Sequence, residues 1–391
     1  MRTGQHIIMV GCTAPSHIYP SLGVVRELVD RGHRVSYVVG EPLRELVAGT
    51  GAEVVAHPSR LPLGDEAWPQ DPADAMRVFL DEAVAVFPGL TERFDGDRPD
   101  LILYDIGGLA GPVLGVRYGV TAVQLSPTYV AWEGYEADMA EVMAAIRGSA
   151  PGKAYHAAFG GWLRENGIGT DAWEWLGSPG DVIALIPRVM QPYAEKVPPR
   201  VRFAGPCLDP ARVAESAWVP PRDGRRVLLV SFGTAYTEQP HVYRACFEAF
   251  AGSDWHVVMA IGDRVDPAVL GTPPPGVEVH RRVPQPAVLE VASAFVTHAG
   301  MGSCAESLWY GVPTVAIPQA VDQFGNAERL EELGVGVRLP GDRVDAVTLR
   351  EAVEHVAGSA DVAARVADLR AAVRAEGGIG RAVAAVESFM T

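Results

Sequence analysis

Short apolar runs recur along the chain at residues 6–11, 34–39, 52–56, 101–104 and 122–125, each the length of one buried strand. Between them lie segments with apolar positions at helical spacing. Residues 21–31 put Leu22, Val25 and Val29 on one face, and Gly32 follows where a helix C-cap belongs. Strand, helix and strand within the first forty or so residues make a βαβ unit. Runs at 182–186 and 201–203 close this series. Residues 209–224 then carry three prolines among small and polar residues, the composition of a domain linker. A second series follows, with strands expected at 227–230, 256–261, 277–280, 294–297 and 314–317, a helix over 239–250, and helices over 347–390.

This alternation predicts an α/β fold of two doubly wound, Rossmann-like domains with right-handed crossovers. The expected boundaries are an N-terminal domain over 1–212, a linker over 213–224 and a C-terminal domain over 225–375. A closing helix over 376–391 is expected to pack back on the N-terminal domain. Two such domains would face each other across a cleft between the carboxyl ends of their sheets, where ligands of these folds bind. Two stretches break the rhythm. Residues 59–73 are rich in Pro, Asp and Leu; residues 132–175 read as helical and carry Trp132, Tyr135, Tyr155, Phe159, Trp162, Trp173 and Trp175. Those aromatics fit either packing between helices or an open apolar wall for a bulky ligand.

Composition narrows the class. The 391 residues are 48% hydrophobic and 21% charged, enough to bury two cores. A net charge of -15 argues against nucleic acid or an anionic membrane as the partner, since both call for basic surface. The four cysteines, Cys12, Cys207, Cys246 and Cys304, are far apart, which indicates neither a zinc site nor a disulfide framework and fits a reducing cytoplasm. The first residues lack a signal-peptide pattern, and no apolar run approaches transmembrane length.

The chemistry concentrates in residues 294–326. A buried strand turns through His298-Ala299-Gly300-Met301-Gly302-Ser303 into a helix expected at 304–310, and Asp322-Gln323 forms a polar tip after the next strand. A strand that turns through glycines into a helix presents free N–H groups at the positive end of the helix dipole, a site for phosphate. Ser231-Phe232-Gly233-Thr234 is a second such turn, and two of them suit a diphosphate. The string Gly300-Met301-Gly302-Ser303-Cys304-Ala305 also satisfies a dinucleotide fingerprint, with Asp322 as its ribose acid, so an NAD-dependent dehydrogenase is the rival reading. Asp95-Gly96-Asp97 has the form of a metal-binding D-x-D but reads as a solvated turn, and no metal is expected.

Three segments, VPQPAVL at 283–289, THAGMGSCAES at 297–307 and PQAVDQFGNA at 318–327, resemble the nucleotide-sugar signature of family 1 glycosyltransferases of the GT-B fold. SHIYPSLGVVRELVDRGH, LILYDIGG and LSPTYVAWEGY in the N-terminal half extend the resemblance to the macrolide glycosyltransferases of actinomycetes, the self-resistance glucosyltransferases especially. It implies that Val283 and Gln285 frame the base and that Glu306 holds the ribose. His298, Gly300, Gly302, Ser303 and Thr234, with Ser231 and Gly233 of the same turn, would bind the diphosphate. Asp322 and Gln323 would meet the sugar, and Trp132 and Tyr135 the acceptor. His17 would be the general base, in the loop after the first strand, with Asp105 as its partner; histidine suits that task because its pKa lies near neutrality.

The resulting expectation is an inverting, metal-independent O-glycosyltransferase of the cytoplasm. It would move glucose from UDP-glucose, needing no other cofactor, to a hydroxyl of a macrolide or similarly bulky apolar molecule, in antibiotic biosynthesis or resistance. A dTDP-deoxysugar donor is the alternative within the family. A nucleotide-sugar epimerase and a non-catalytic partner protein of the same fold are the others.

Overall fold

The computed structural model describes residues 4–62, 68–214 and 216–390. Residues 63–67 of the Pro- and Asp-rich stretch, Glu215 of the expected linker, and residues 1–3 and 391 lie outside them. The chain divides into two units. The first comprises residues 1–185, 191–207 and 378–391, and the second residues 186–190 and 208–377.

The first unit is built on seven parallel strands: β1 (His6–Val10), β2 (Arg34–Gly40), β3 (Glu53–His57), β4 (Leu101–Asp105), β5 (Ala122–Ser126), β6 (Asp181–Ala184) and β7 (Val201–Phe203). Their spatial order is 3-2-1-4-5-6-7. Alternate residues of the same strand feed two cores. Ile7, Met9, Leu101 and Leu103 pack on one face with the helix Pro15–Asp30, and Ile8, Val10, Ile102 and Tyr104 pack on the other beneath the helix Pro72–Phe94. Burial on both faces is why these strands read as continuous apolar runs.

The second unit repeats the plan with six parallel strands: β8 (Arg226–Ser231), β9 (Trp255–Ala260), β10 (Val277–His280), β11 (Ala292–Thr297), β12 (Thr314–Ala316) and β13 (Gly336–Arg338). Their order is β10-β9-β8-β11-β12-β13, so each sheet starts at an inner strand and grows outward both ways. Strand β13 is only three residues, Gly-Val-Arg, too short and too polar to register as an apolar run.

The unit boundaries differ from those expected along the chain. Residues 208–212 belong to the second unit, where Arg212 pairs with Glu306 at 2.7 Å. Residues 186–190 join it too, with the Val189 carbonyl accepting from Arg329 at 2.9 Å. Much of the expected linker is attached to this unit: Trp218 packs on its core and donates from Nε1 to Glu278 at 3.2 Å.

The helix Gly378–Ser388 lies in the first unit. Ala382, Val383 and Val386 are fully buried in the same core as Leu22 and Val25, and Arg31 reaches Glu387 at 3.0 Å. Placing a carboxylate in that apolar site costs several times what a lost methyl does. Val383→Asp is therefore expected to destabilise the protein by about 3 kcal/mol or more, read as a lowered urea midpoint by circular dichroism.

Candidate active site

In the first unit the inner strands β1 and β4 run side by side, with Val10 opposite Tyr104, and the chain leaves their carboxyl ends in a crevice. Gly108 makes the close approach possible, since a methyl there would lie 2.5 Å from the Val10 carbonyl. Asp105 ends β4 and is buried. Its carboxylate accepts from the Gly107 N–H at 2.8 Å and faces His17 Nδ1 at 2.9 and 3.1 Å.

His17 does not sit in a loop, as expected, but in the first turn of the helix Pro15–Asp30. Two prolines, Pro15 and Pro20, argue for a loop in the sequence. In the structure Pro15 starts the helix, where its missing N–H costs nothing, and Pro20 is accommodated within it. With Nδ1–H directed to Asp105, the imidazole is held in the tautomer whose lone pair is at Nε2. A buried carboxylate that orients an imidazole and can stabilise the imidazolium is the arrangement of a general base.

Beside this pair is a cavity of about 20 Å³, bordered by Cys12, Thr13, Glu82 and Gly107. It has room for roughly one water, far too little for a bulky acceptor. The aromatics resolve into two groups. Tyr155, Phe159, Trp162, Trp173 and Trp175 pack into or against the core under helix Pro72–Phe94. Trp132 instead packs edge-on against Tyr135 and tilted against Tyr193, and donates from Nε1 to Asp138 at 2.7 Å. Asp95 and Asp97 are each committed to an arginine, Arg117 and Arg34, as a solvated turn would be.

The second unit repeats the crevice between β8 and β11, with Ser231 opposite Thr297. Both turns expected to bind phosphate leave from this point. The helix that follows starts at Met301, earlier than expected, so Gly302 and Ser303 are in its first turn and Gly300 caps it without a side chain. His298 is wedged between glycines: a methyl on Gly233 would lie 2.7 Å from its Nε2, and one on Gly300 2.5 Å. Burial lowers its pKa to about 4, so the ring is neutral at pH 7 and offers a hydrogen bond rather than a charge. Thr234 is exposed beside it and Ser231 buried.

Glu306 is buried, accepting from Gln285 Nε2 and Arg212 Nη1, both at 2.7 Å; Gln285 also reaches Ser303 at 3.4 Å. Val283 packs against the neighbouring core. The Asp322-Gln323 tip is the start of the helix Gln323–Glu332, not a loop. The Gln323 side-chain oxygen Oε1 already accepts from the Gln319 and Ala320 N–H groups, which leaves the side-chain Nε2 as the part with donors to offer. Asn326, which the sequence reading missed, donates from Nδ2 to both the Ala299 carbonyl and Asp322 at 2.9 Å. It ties the His298 turn, strained at Ala299 with φ 60, to Asp322. The i,i+4 spacing of Asp322 and Asn326 was the available signal. Arg212 had none.

The dinucleotide reading fails on topology. The Gly-Met-Gly turn follows β11, fourth in its sheet order, whereas that fingerprint belongs after the first strand.

Two Rossmann-like halves, each with polar groups at its switch point, define a GT-B glycosyltransferase fold. Residues 244–383 match the family described as erythromycin biosynthesis protein CIII-like, C-terminal domain. Oleandomycin glycosyltransferase of Streptomyces antibioticus is 43% identical over 99% of this chain and 91% of its own. The NDP-glycosyltransferase YjiC of Bacillus subtilis (strain 168) is 33% identical over 98% and 97%. Among solved structures, the glycotransferase of kitacinnamycin superposes with a TM-score of 0.92 at 41% identity, covering 100% of both chains. The chain belongs to the family 1 glycosyltransferases, in the group related to the macrolide and natural-product enzymes.

His298 generates a pH dependence. Its folded pKa lies below the unfolded value, so the folded state takes up its proton later than the unfolded chain. The stability this ring contributes is complete above about pH 6.5 and is lost as pH falls toward about 4. Urea unfolding between those values is expected to show a shallower pH slope for His298→Gln than for the parent. Gly233→Ala, which crowds the ring at a positive φ, is expected to weaken nucleotide diphosphate binding about 10-fold or more, at a stability cost of about 1–3 kcal/mol, measured by calorimetry and melting.

Proposed function

We propose that the protein is an inverting, metal-independent O-glycosyltransferase that moves glucose from UDP-glucose to a hydroxyl of a macrolide or a similarly bulky apolar natural product. The observation that carries this reading is the His17–Asp105 hydrogen bond at the carboxyl ends of β1 and β4, in a chain 43% identical to an oleandomycin glycosyltransferase. His17 Nε2 takes the proton of the acceptor hydroxyl, and the oxygen attacks the anomeric carbon as its bond to the diphosphate breaks. The configuration inverts. Asp105 stabilises the imidazolium so formed.

The second unit binds the donor. Charge on the departing diphosphate meets the N–H groups at the start of helix Met301–Tyr310 and hydrogen bonds from His298, Ser231 and Thr234, so no metal is required. Glu306 accepts the ribose hydroxyls alongside Arg212, Val283 and Gln285 frame the uracil, and Asp322 with Gln323 holds the glucose. Ile106, directly after Asp105, is an exposed apolar side chain, and Trp132 and Tyr135 add aromatic surface, all suited to a greasy acceptor. Glucosylation in a reducing cytosol would serve antibiotic biosynthesis or self-resistance.

His17→Ala is expected to lower kcat by about 10²- to 10⁴-fold with UDP affinity unchanged by calorimetry; equal loss of both would make the histidine structural. Incubating a panel of UDP- and dTDP-sugars with macrolides, before and after chelator treatment, and reading products by mass spectrometry tests the donor and the metal. Transfer from a dTDP-deoxysugar alone, or activity abolished by chelation, would overturn those parts. NMR of the product is expected to show a β-glycoside from the α-linked donor.

A further inference from the structure

We propose that Cys12, His17 and Asp105 form a binding site for a thiophilic divalent cation such as zinc, and that filling it switches the His17–Asp105 pair off. Among the described residues these three form the one cluster of this kind, offering one ligand atom each with all three atoms within 4.8 Å of one another. They come from three elements: the turn after β1, the first turn of helix Pro15–Asp30, and the end of β4. Thiolate, imidazole and carboxylate are zinc's usual side-chain ligands, and three of them plus a water make its open four-coordinate form. Cys12 and Asp105 are buried while the His17 side chain is 29% exposed, so the cluster meets solvent on the His17 side.

Charge favours a cation. One thiolate and one carboxylate neutralise a divalent ion; burial first, and the negative Asp105 and Glu82 after it, hold the Cys12 thiol well above its ordinary range, so its thiolate forms only against a bound cation. Ligand atoms around a tetrahedral zinc lie about 3.3–3.8 Å apart, given bonds of about 2.0–2.3 Å. The His17–Asp105 contact of 2.9 Å must widen by about half an ångström, and separations to the sulfur of up to 4.8 Å must close by up to about 1.3 Å on the same geometry.

On binding, the Cys12 thiol proton passes to solvent, and sulfur, one imidazole nitrogen and one carboxylate oxygen donate lone pairs to the metal. No redox change occurs. The bound imidazole then carries its proton on the other nitrogen and has no lone pair left for an acceptor hydroxyl. This switching half rests on His17 being the general base; the binding half does not.

Cobalt(II) added to the full-length protein is the probe. The parent is expected to show a near-ultraviolet thiolate-to-cobalt charge-transfer band and the visible bands of four-coordinate cobalt, with the charge-transfer band absent in Cys12→Ser and Cys12→Ala. Zinc is expected to inhibit the parent at concentrations about 10-fold or more below those needed for either variant, each scored against its own uninhibited rate, with a chelator restoring turnover. Circular dichroism checks that each variant is folded, and Cys12→Ser nearly preserves the side-chain volume should Cys12→Ala fail. A charge-transfer band that persists in the variants, or equal zinc sensitivity, overturns the site. A band lost with Cys12 alongside full turnover by the metal-loaded parent keeps the site, overturns the switch and removes His17 as the base.

Discussion

A parallel sheet that begins at an inner strand must send its connections to opposite faces on either side of that strand. The crevice this opens at the carboxyl ends is the one place where two loops diverge with no helix packed over them. Both sheets here are wound this way, β2 and β3 on one side of β1 and β4 onward on the other, and likewise around β8. The candidate base and the two glycine turns start from those points. His17 and Asp105 leave from β1 and β4, and the Ser231 and His298 turns leave from β8 and β11. The topology thus brings together groups almost ninety residues apart in one unit and more than sixty in the other.

The two crevices solve burial differently. In the first, a carboxylate is taken out of water, held by a backbone N–H and aimed at an imidazole. In the second, the half-buried imidazole of His298 packs against two glycines and loses its charge. The nearby carboxylate, Glu306, keeps company with an arginine and a glutamine. The start of helix Met301–Tyr310 presents oriented N–H dipoles without a side-chain cap, and such dipoles need no reorganisation when an anion arrives.

Much of this could be read in the residues. Strands buried on both faces are continuous apolar runs, and β7 and β10 fall on the residues expected. The pairing of His17 with Asp105 was implied by the family resemblance and fitted two strand ends of one sheet. What escaped was polar or short. β13 has one apolar residue. The start of helix Pro15–Asp30 hides behind two prolines, and helix Gln323–Glu332 behind a polar face. Asn326 and Arg212 act only through partners that the fold assembles, 27 residues away for the Ala299 carbonyl and 94 for Glu306.

The helix Gly378–Ser388 has a temporal meaning. It leaves the ribosome after the whole second unit, yet its Ala382, Val383 and Val386 complete the core that β1 and helix Pro15–Asp30 begin. The second unit, continuous from residue 208 to 377, holds its own strands and can close as soon as it emerges. The first unit cannot, however early its strands are made. The strands beside His17 are made before the second unit and their core is completed after it, and a chain cut short before residue 378 keeps the apolar seat of that helix open to water.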